Sequence, residues 1–284
     1  MKNTKINEKS QQAYWDALAP EYRRITRISC SDFHYGPQIP GEKALKILPQ
    51  FKPGDTALEL GCGGAENSVW LAGRGLKCAA FDISNAQLAD ARKIAARRGA
   101  EIEFFQSSLA DFRKKIGGRR FDFLHSSHAM EFVDNPAAVV ADMAAAMKAG
   151  AWLMISTVHP LYNGEWVEDA AEAEPREPHE CGCGDGGDCD CMEDEPLGEG
   201  LFLKNYFTPP DDVRDEFGEH AVSRAHPISK WFAWLKAAGL SVEDLREPAA
   251  VKNAPYSSDD WADAAAGHLS AIPSTIIFLA RKNK

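Results

Sequence analysis

No stretch of this 284-residue chain is apolar for long enough to cross a bilayer as a helix. The most apolar run, Ala137 to Ile155, is interrupted by Asp142 and Lys148, where a span needs ~20 apolar residues. The basic opening MKNTKINEKS leads into no apolar segment, so no secretory signal is read there; a cytoplasmic location without a membrane partner is expected. Cysteine is scarce outside one cluster, and the total of seven is odd, which argues against a disulfide framework. No internal repeat is found. Most of the chain also lacks an excess of either charge. The formal net charge is -10, but Glu165 to Glu199 holds fourteen Asp or Glu against one Arg, so the remainder is near neutral. Such a body has no basic field to draw phosphate polymers, and the acidic segment repels them, so nucleic acid is a poor expectation as acceptor. What is present is 44% hydrophobic and 26% charged. That suffices for a core, excludes disorder throughout, and suits one large α/β domain carrying an insertion.

Along the chain, Ser10 is expected to cap a helix through QQAYWDALAPEYRRI, bent or broken at Pro20, and Lys43 to Leu48 reads as a second helix. Then strands and helices alternate. Strands are expected over Thr56 to Leu60, Lys77 to Phe81, Ile102 to Gln106, Phe121 to His125 and Ala151 to Thr157. Helices are expected over Glu66 to Arg74, Asn85 to Arg98 and Pro136 to Lys148. Short links between alternating elements call for a parallel sheet covered on both faces, doubly wound because crossovers are right-handed. From about Leu161 to Thr208 the rhythm fails and the composition turns to Glu, Asp, Gly, Pro and Cys. The pattern resumes with a helix over Ile228 to Ala238 and strands at Leu240 to Leu245 and Thr275 to Ala280, with room for a helix near Asp259 to His268. The organisation expected is thus an N-terminal helical lid over residues 1–50, a core of residues 51–160 and 209–284, and an acidic, Cys-rich insertion over 161–208, a flap over the acceptor.

The segment ALELGCGGAENSVWLAGRGLKCAAFDIS carries the chemistry. A strand delivers Glu59 into Gly61, Gly63 and Gly64, where bare backbone admits a ligand, and the helix that follows presents free N–H groups. Asp82, at the end of the next strand, lies 21 residues after Gly61, the range at which a carboxylate accepts both ribose hydroxyls of a nucleoside. The same glycines also serve a purely structural turn; strand, helix and acid together favour a ligand site.

The loop E-L-G-C-G-G-A lacks the G-x-G-x-x-G/A of dinucleotide folds and resembles motif I of class I S-adenosylmethionine-dependent methyltransferases. FDFLHSSHAMEFVDNPAAVVADMAAAMKAGAWLMISTVHP resembles that family's fourth strand, following helix and fifth strand, and HPISKWFAWLKAAGLSVEDLREP the later helix and sixth strand of its small-molecule branch. The resemblance implies a seven-stranded sheet of order 3-2-1-4-5-7-6 with the last strand antiparallel. It implies S-adenosyl-L-methionine as cofactor, held by the backbone of Gly61, Cys62 and Gly63, with Glu59 ordering that loop. Asp82 would hold the ribose and Ile83 flank the adenine. Where the family often has an Asp after the third strand, this chain offers Ser107 and Ser108, and Ser126 would abut the cofactor.

Displacement at a sulfonium carbon asks the protein chiefly to hold the acceptor close and exclude water. A thiol acceptor ionises near neutrality; a hydroxyl or ammonium needs a base. The candidates are His128, His159 and His226, with Glu131 as an acidic alternative, though each histidine also suits packing or capping. Tyr14, Trp15, Tyr22, His34 and Tyr35 either close over the sulfonium as an aromatic lid or pack their helix on the body. In HECGCGDGGDCDC, Cys181, Cys183, Cys189 and Cys191 form two C-x-C pairs joined by a Gly/Asp turn. Zinc, another thiophilic metal or metalloid, an iron–sulfur cluster and a solvated redox loop all fit them. The reading favoured is a methyltransferase acting on a small molecule at an O, N or S atom. A protein or nucleic-acid methyltransferase, and a non-catalytic cofactor- or metal-sensing protein, are the alternatives.

Overall fold

A computed structural model describes residues 7–167, 200–259, 261 and 270–283. The N-terminal helix α1 (Glu8–Ile25) starts at Asn7, whose side chain accepts from the N–H groups of Lys9 and Ser10. Ser10 is therefore not the cap but its partner: its hydroxyl accepts from the Asn7 N–H at 2.8 Å, closing a reciprocal capping box. Pro20 lies within α1 without ending it. Strand β1 (Thr26–Ile28) follows, then the short helix α2 (Glu42–Leu45). The helix expected to reach Leu48 stops early because the Glu42 carboxylate accepts from the Ile47 and Leu48 N–H groups and Lys46 turns left-handed.

The alternating elements are β2 (Thr56–Leu60), α3 (Glu66–Ala72), β3 (Lys77–Asp82), α4 (Asn85–Arg98), β4 (Ile102–Gln106), α5 (Phe112–Lys115), β5 (Phe121–Ser127), α6 (Pro136–Ala145) and β6 (Met147–Val158). In the smaller unit of the chain, Gly164–Lys204, β7 (Glu165–Val167) and β8 (Gly200–Phe202) pair antiparallel. The larger unit continues with the hairpin β9 (Asp212–Glu216) and β10 (Glu219–Ser223), α7 (Ile228–Ala237), β11 (Leu240–Arg246), β12 (Tyr256–Ser258) and β13 (Thr275–Lys282). The helix expected near 259–268 falls mostly outside the described residues.

Seven strands form one sheet of order β11-β13-β6-β5-β2-β3-β4, with β13 antiparallel to both neighbours and the other contacts from β6 to β4 parallel. In chain order this is 3-2-1-4-5-7-6, as expected. Successive residues of the central strands enter opposite cores. Leu58, Leu124, Leu153 and Phe278 pack with α6 and α7 residues such as Met143 and Trp231, while Ala57, Phe123, Met154 and Ile277 pack with Phe33, Trp70 and Leu71. Burial on both faces is why these strands read as continuous apolar runs. Several boundaries shift by one to four residues from expectation, and the α6–β6 link shows why: α6 ends at Ala145, and Met147, fully buried, already pairs with Phe121 in β6.

Helix α1 is fastened beside the C-terminal strand ends. Asp16 Oδ1 accepts from the Ser84 hydroxyl at 2.6 Å and from the Ala86 N–H at 3.0 Å, so α1 supplies a second cap to α4. An acceptor at a helix N-terminus stabilises by about 0.5–2 kcal/mol. Asp16→Ala should accordingly lower the thermal midpoint by a few degrees; an unchanged midpoint in thermal unfolding refutes this anchoring role.

Candidate functional site

Above the ends of β2, β3 and β5 lies a cavity of about 370 Å³. The turn after β2 forms its floor. Gly61 (φ +74°) and Gly63 (φ +51°) are left-handed, a conformation that glycine adopts without strain. At Gly61 space is also limiting, since a Cβ there would lie 2.1 Å from that of Ala129. The Gly61 and Cys62 N–H groups both donate to the Phe81 carbonyl at 2.8 Å, locking the turn to β3. Burial raises the Cys62 thiol pKa well above its ordinary value, so it stays protonated and is a poor nucleophile.

Asp82 closes the floor from the adjacent strand. Its Oδ2 accepts from the Gly63 N–H at 2.8 Å and its Oδ1 from the Ser84 N–H at 2.9 Å. Burial pushes its pKa up, and these two donors pull it back in part. Each carboxylate oxygen keeps acceptor capacity for a further donor. Glu59, almost fully buried, accepts from the Ser68 hydroxyl and N–H at the start of α3. Burial raises its pKa to about 8, against the Ser68 hydrogen bonds.

Ile83 and Ser108 line the cavity at its β3–β4 side, and the buried Ser108 hydroxyl has no hydrogen-bond partner. Trp15, Tyr22, His34, Phe132 and Tyr256 line it as well. Trp15 meets Tyr22 and Phe132 edge to face, and Tyr256 does the same with Tyr22 and His34. Burial holds the His34 ring neutral, its pKa lowered to about 3. Of the other aromatics expected over this site, Tyr14 packs with Leu18 and Ala221, and Tyr35 is buried with its hydroxyl on Glu42. Neither lines the cavity.

His128 lines the cavity too, at a left-handed residue (φ +52°) just beyond β5. Its Nδ1 lies 3.1 Å from Glu131 Oε1 and its Nε2 2.9 Å from the Thr275 hydroxyl. Glu131, 2% exposed, also accepts from the Thr157 hydroxyl at 3.1 Å. A carboxylate only accepts, so the arrangement assigns the ring proton to Nδ1 and leaves Nε2 as the acceptor. Glu131 thus stands behind His128 rather than in the cavity wall. Gly36 leaves room for the ring, because a Cβ there would lie 2.4 Å from Nε2.

Three expected site residues are elsewhere. His159 is buried with Nε2 2.7 Å from Glu247 and Nδ1 accepting from the Leu161 N–H, both nitrogens occupied away from the cavity. His226 packs edge to face against Trp231 and Trp234. Ser126 donates to the Leu60 carbonyl at 2.8 Å, tying β5 to β2. Cys181, Cys183, Cys189 and Cys191 lie outside the described residues; among the described residues, no three His, Cys, Asp or Glu side chains are grouped to hold a metal ion.

Arg23 lines the cavity without having been anticipated. From α1 it reaches Glu66 (Nη1 to Oε1, 2.5 Å), and its Nε and Nη2 are buried without a partner. Gly64 makes this possible: a Cβ there would lie 2.1 Å from Arg23 Nη2. The third glycine of the loop is thus explained by an arginine some forty residues earlier, which no local pattern signals.

A family model described as a methyltransferase domain matches residues 33–245. Among curated relatives, the ubiquinone biosynthesis O-methyltransferase of Azotobacter vinelandii is 32% identical over 106 residues, which are 37% of this chain and 45% of the relative. That of Hahella chejuensis is 30% identical over 107 residues, 38% and 44% of the two chains. The match thus spans under half the length of these relatives. In structure, an S-adenosylmethionine-dependent methyltransferase from Mesorhizobium loti aligns over 84% of this chain and 94% of its own with a TM-score of 0.55 and 20% identity. The cyclase SpnF aligns over 96% and 95% with a TM-score of 0.58 and 15% identity. At these identities the two neighbours speak for the fold alone.

Proposed function

The chain belongs to the methyltransferase-domain family, and from that premise we propose that it transfers the methyl group of S-adenosylmethionine to a hydroxyl oxygen of a small molecule. One observation carries the reading: a single cavity runs from a bare glycine turn and a buried carboxylate, Asp82, to an aromatic wall with His128, which Glu131 backs from outside the cavity. The residues present fit the cofactor. Asp82 retains acceptor capacity for ribose hydroxyls, the partnerless Ser108 hydroxyl faces the place of the adenine, and the unpaired donors of Arg23 suit a carboxylate. When bound, the cofactor supplies an electrophilic methyl group on a cationic sulfonium.

The chain's own residues do the rest. Trp15, Tyr22, Phe132 and Tyr256 exclude water and offer π faces to a cation. The acceptor hydroxyl gives up its proton to His128 Nε2 once the buried Thr275 hydroxyl releases that nitrogen and the ring turns it to the cavity, while Glu131 supports the ring in that tautomer and stabilises the imidazolium formed. The names of the curated relatives support oxygen as the attacked atom. The purified full chain, incubated with methyl-labelled cofactor and a panel of phenols, aliphatic alcohols, thiols and amines, should label a hydroxyl compound. Cofactor binding without label transfer to any of them supports the non-catalytic alternative instead.

Glu59 gives a pH dependence of defined sign. Its pKa in the folded chain is raised to about 8, so its contribution to stability is present at low pH and lost as pH rises through that value. A sulfonium in the cavity favours the ionised form. Cofactor affinity should therefore rise roughly tenfold between about pH 7 and 9, while the uncharged thioether product, S-adenosylhomocysteine, shows no such rise. Equal pH profiles for the two ligands in calorimetry contradict this.

The two C-x-C pairs are part of the proposal as a thiophilic metal site, zinc foremost. Elemental analysis should find about one metal per chain, lost in Cys181→Ser/Cys183→Ser; substoichiometric metal retained equally by that variant overturns it.

A further inference from the structure

A second concavity, a groove of about 920 Å³, lies on the other side of Arg23 and Glu66 from the cofactor cavity and shares those two residues and Ile28 with it. Its lining is strongly cationic. Arg23 and Arg27 come from α1 and β1, Arg97 and Arg98 from the last turn of α4, and Lys252 from the turn before β12. Among its described lining residues Glu66 is the one acid, and it is already paired with Arg23. Arg27 pairs with Asp259; among the described residues Arg97, Arg98 and Lys252 have no ion-pair partner. In a chain of net charge -10, such a concentration runs against the overall balance.

Arg97 and Arg98 alone would be unremarkable, because basic residues suit the C-terminal turn of a helix. Arg23 likewise stands in the last turn of α1; helix geometry does not account for Arg27 and Lys252, which reach the same groove from β1 and from the turn before β12. Like charges held together across a concave surface repel one another, and those of Arg97, Arg98 and Lys252 lack a counter-charge among the described residues. The hydroxyl-bearing Ser29 and Ser257 add neutral donors to the same lining. Guanidinium forks, an ammonium and hydroxyls are the donor set that phosphate oxygens take. A single phosphate spans two or three such donors, whereas five cations spread over four elements of the fold call for an extended anion.

We propose that this groove binds a small molecule bearing two or more linked phosphate groups, and that its occupancy opposes cofactor binding through Arg23. The site is read from the groove alone; only its effect on the cofactor rests on the function proposed above. Arg23 is the shared element. Its Nη1 holds Glu66, its other nitrogens are without partners, and an anion in the groove draws the guanidinium away from the cofactor's carboxylate. By linkage the cofactor must weaken the anion's binding by the same factor.

Inorganic pyrophosphate is the probe. Titrated into the full chain without cofactor, it should bind saturably at one site and more weakly as salt rises. Arg98→Gln/Lys252→Gln should weaken that binding at least tenfold while leaving the dissociation constant for S-adenosylmethionine, measured without pyrophosphate, unchanged. Saturating pyrophosphate should raise that constant several-fold in the wild type, and less in Arg23→Gln. An isotherm without saturation, or one the double variant leaves unaltered, overturns the site. Saturable pyrophosphate binding with no effect on a measurable cofactor affinity overturns the coupling. Pyrophosphate binding in a chain that takes up no cofactor at all leaves the groove standing and overturns the proposed function.

Discussion

Asp82→Ala is expected to raise the dissociation constant for S-adenosylmethionine by roughly a hundredfold or more. The carboxylate is offered to two ribose hydroxyls, and each charge-assisted bond contributes about 1.5–3 kcal/mol. The same carboxylate holds the Gly63 N–H at 2.8 Å and the Ser84 N–H at 2.9 Å. Its removal therefore also frees the glycine turn and leaves one cap of α4 unmade. Those losses are structural, and a urea titration of the ligand-free variant measures them separately. Asp82→Asn keeps an oxygen acceptor and the side-chain shape, so it should recover part of the affinity and most of the stability. Because the ribose is common to cofactor and product, S-adenosylhomocysteine should lose affinity by a similar factor, unlike the charge-selective effect expected at Glu59. Calorimetry showing a threefold change or less in Asp82→Ala would remove the carboxylate from the cofactor site.

The sheet was legible because its central strands are buried on both faces and their helices are closed by recognisable stops. Asn85–Arg98 ends at Gly99 in a left-handed cap, as its sequence indicates. Legibility fails where long-range contacts decide. Met147 reads as helix from its alanine-rich approach, yet pairing with Phe121 draws it into β6. The hairpin β9–β10 went unread because Asp212–Glu216 is charged on nearly every position and buries none of them, while its partner packs Ala221 and Val222 inward. Its Phe217–Gly218 tip, left-handed at both residues, was the available signal. The same division holds in the site. Glu59, Gly61, Cys62, Gly63, Asp82 and Ile83 lie close together in sequence and gather around one cavity. Arg23 and Tyr256 reach it through the fold from distant positions, and Thr275 meets His128 from behind it. His159 and His226, chosen by residue type, have their surroundings filled by Glu247 and by Trp231 and Trp234.

His128→Gln should lower kcat by about two to four orders of magnitude, the usual contribution of a positioned proton acceptor, with cofactor affinity nearly unchanged. The distinction matters because His128 borders the cavity without touching the glycine turn's anchoring bonds to Phe81 and Asp82. Glu131→Gln tests the pair. An amide at Oε1's place presents either a donor or an acceptor to Nδ1, and as donor it turns the ring proton onto Nε2, where the acceptor needs a lone pair. This variant should lose most of the same activity, and the double variant should be little worse than His128→Gln alone, because the two side chains act as one unit. Thr275→Val removes only the hydroxyl that must release Nε2, so its effect should be within about tenfold, on KM more than kcat. Fully additive losses in the double variant would show Glu131 acting on its own. A His128→Gln enzyme with wild-type kcat would show that the acceptor loses its proton without a base, as a thiol ionised before binding does.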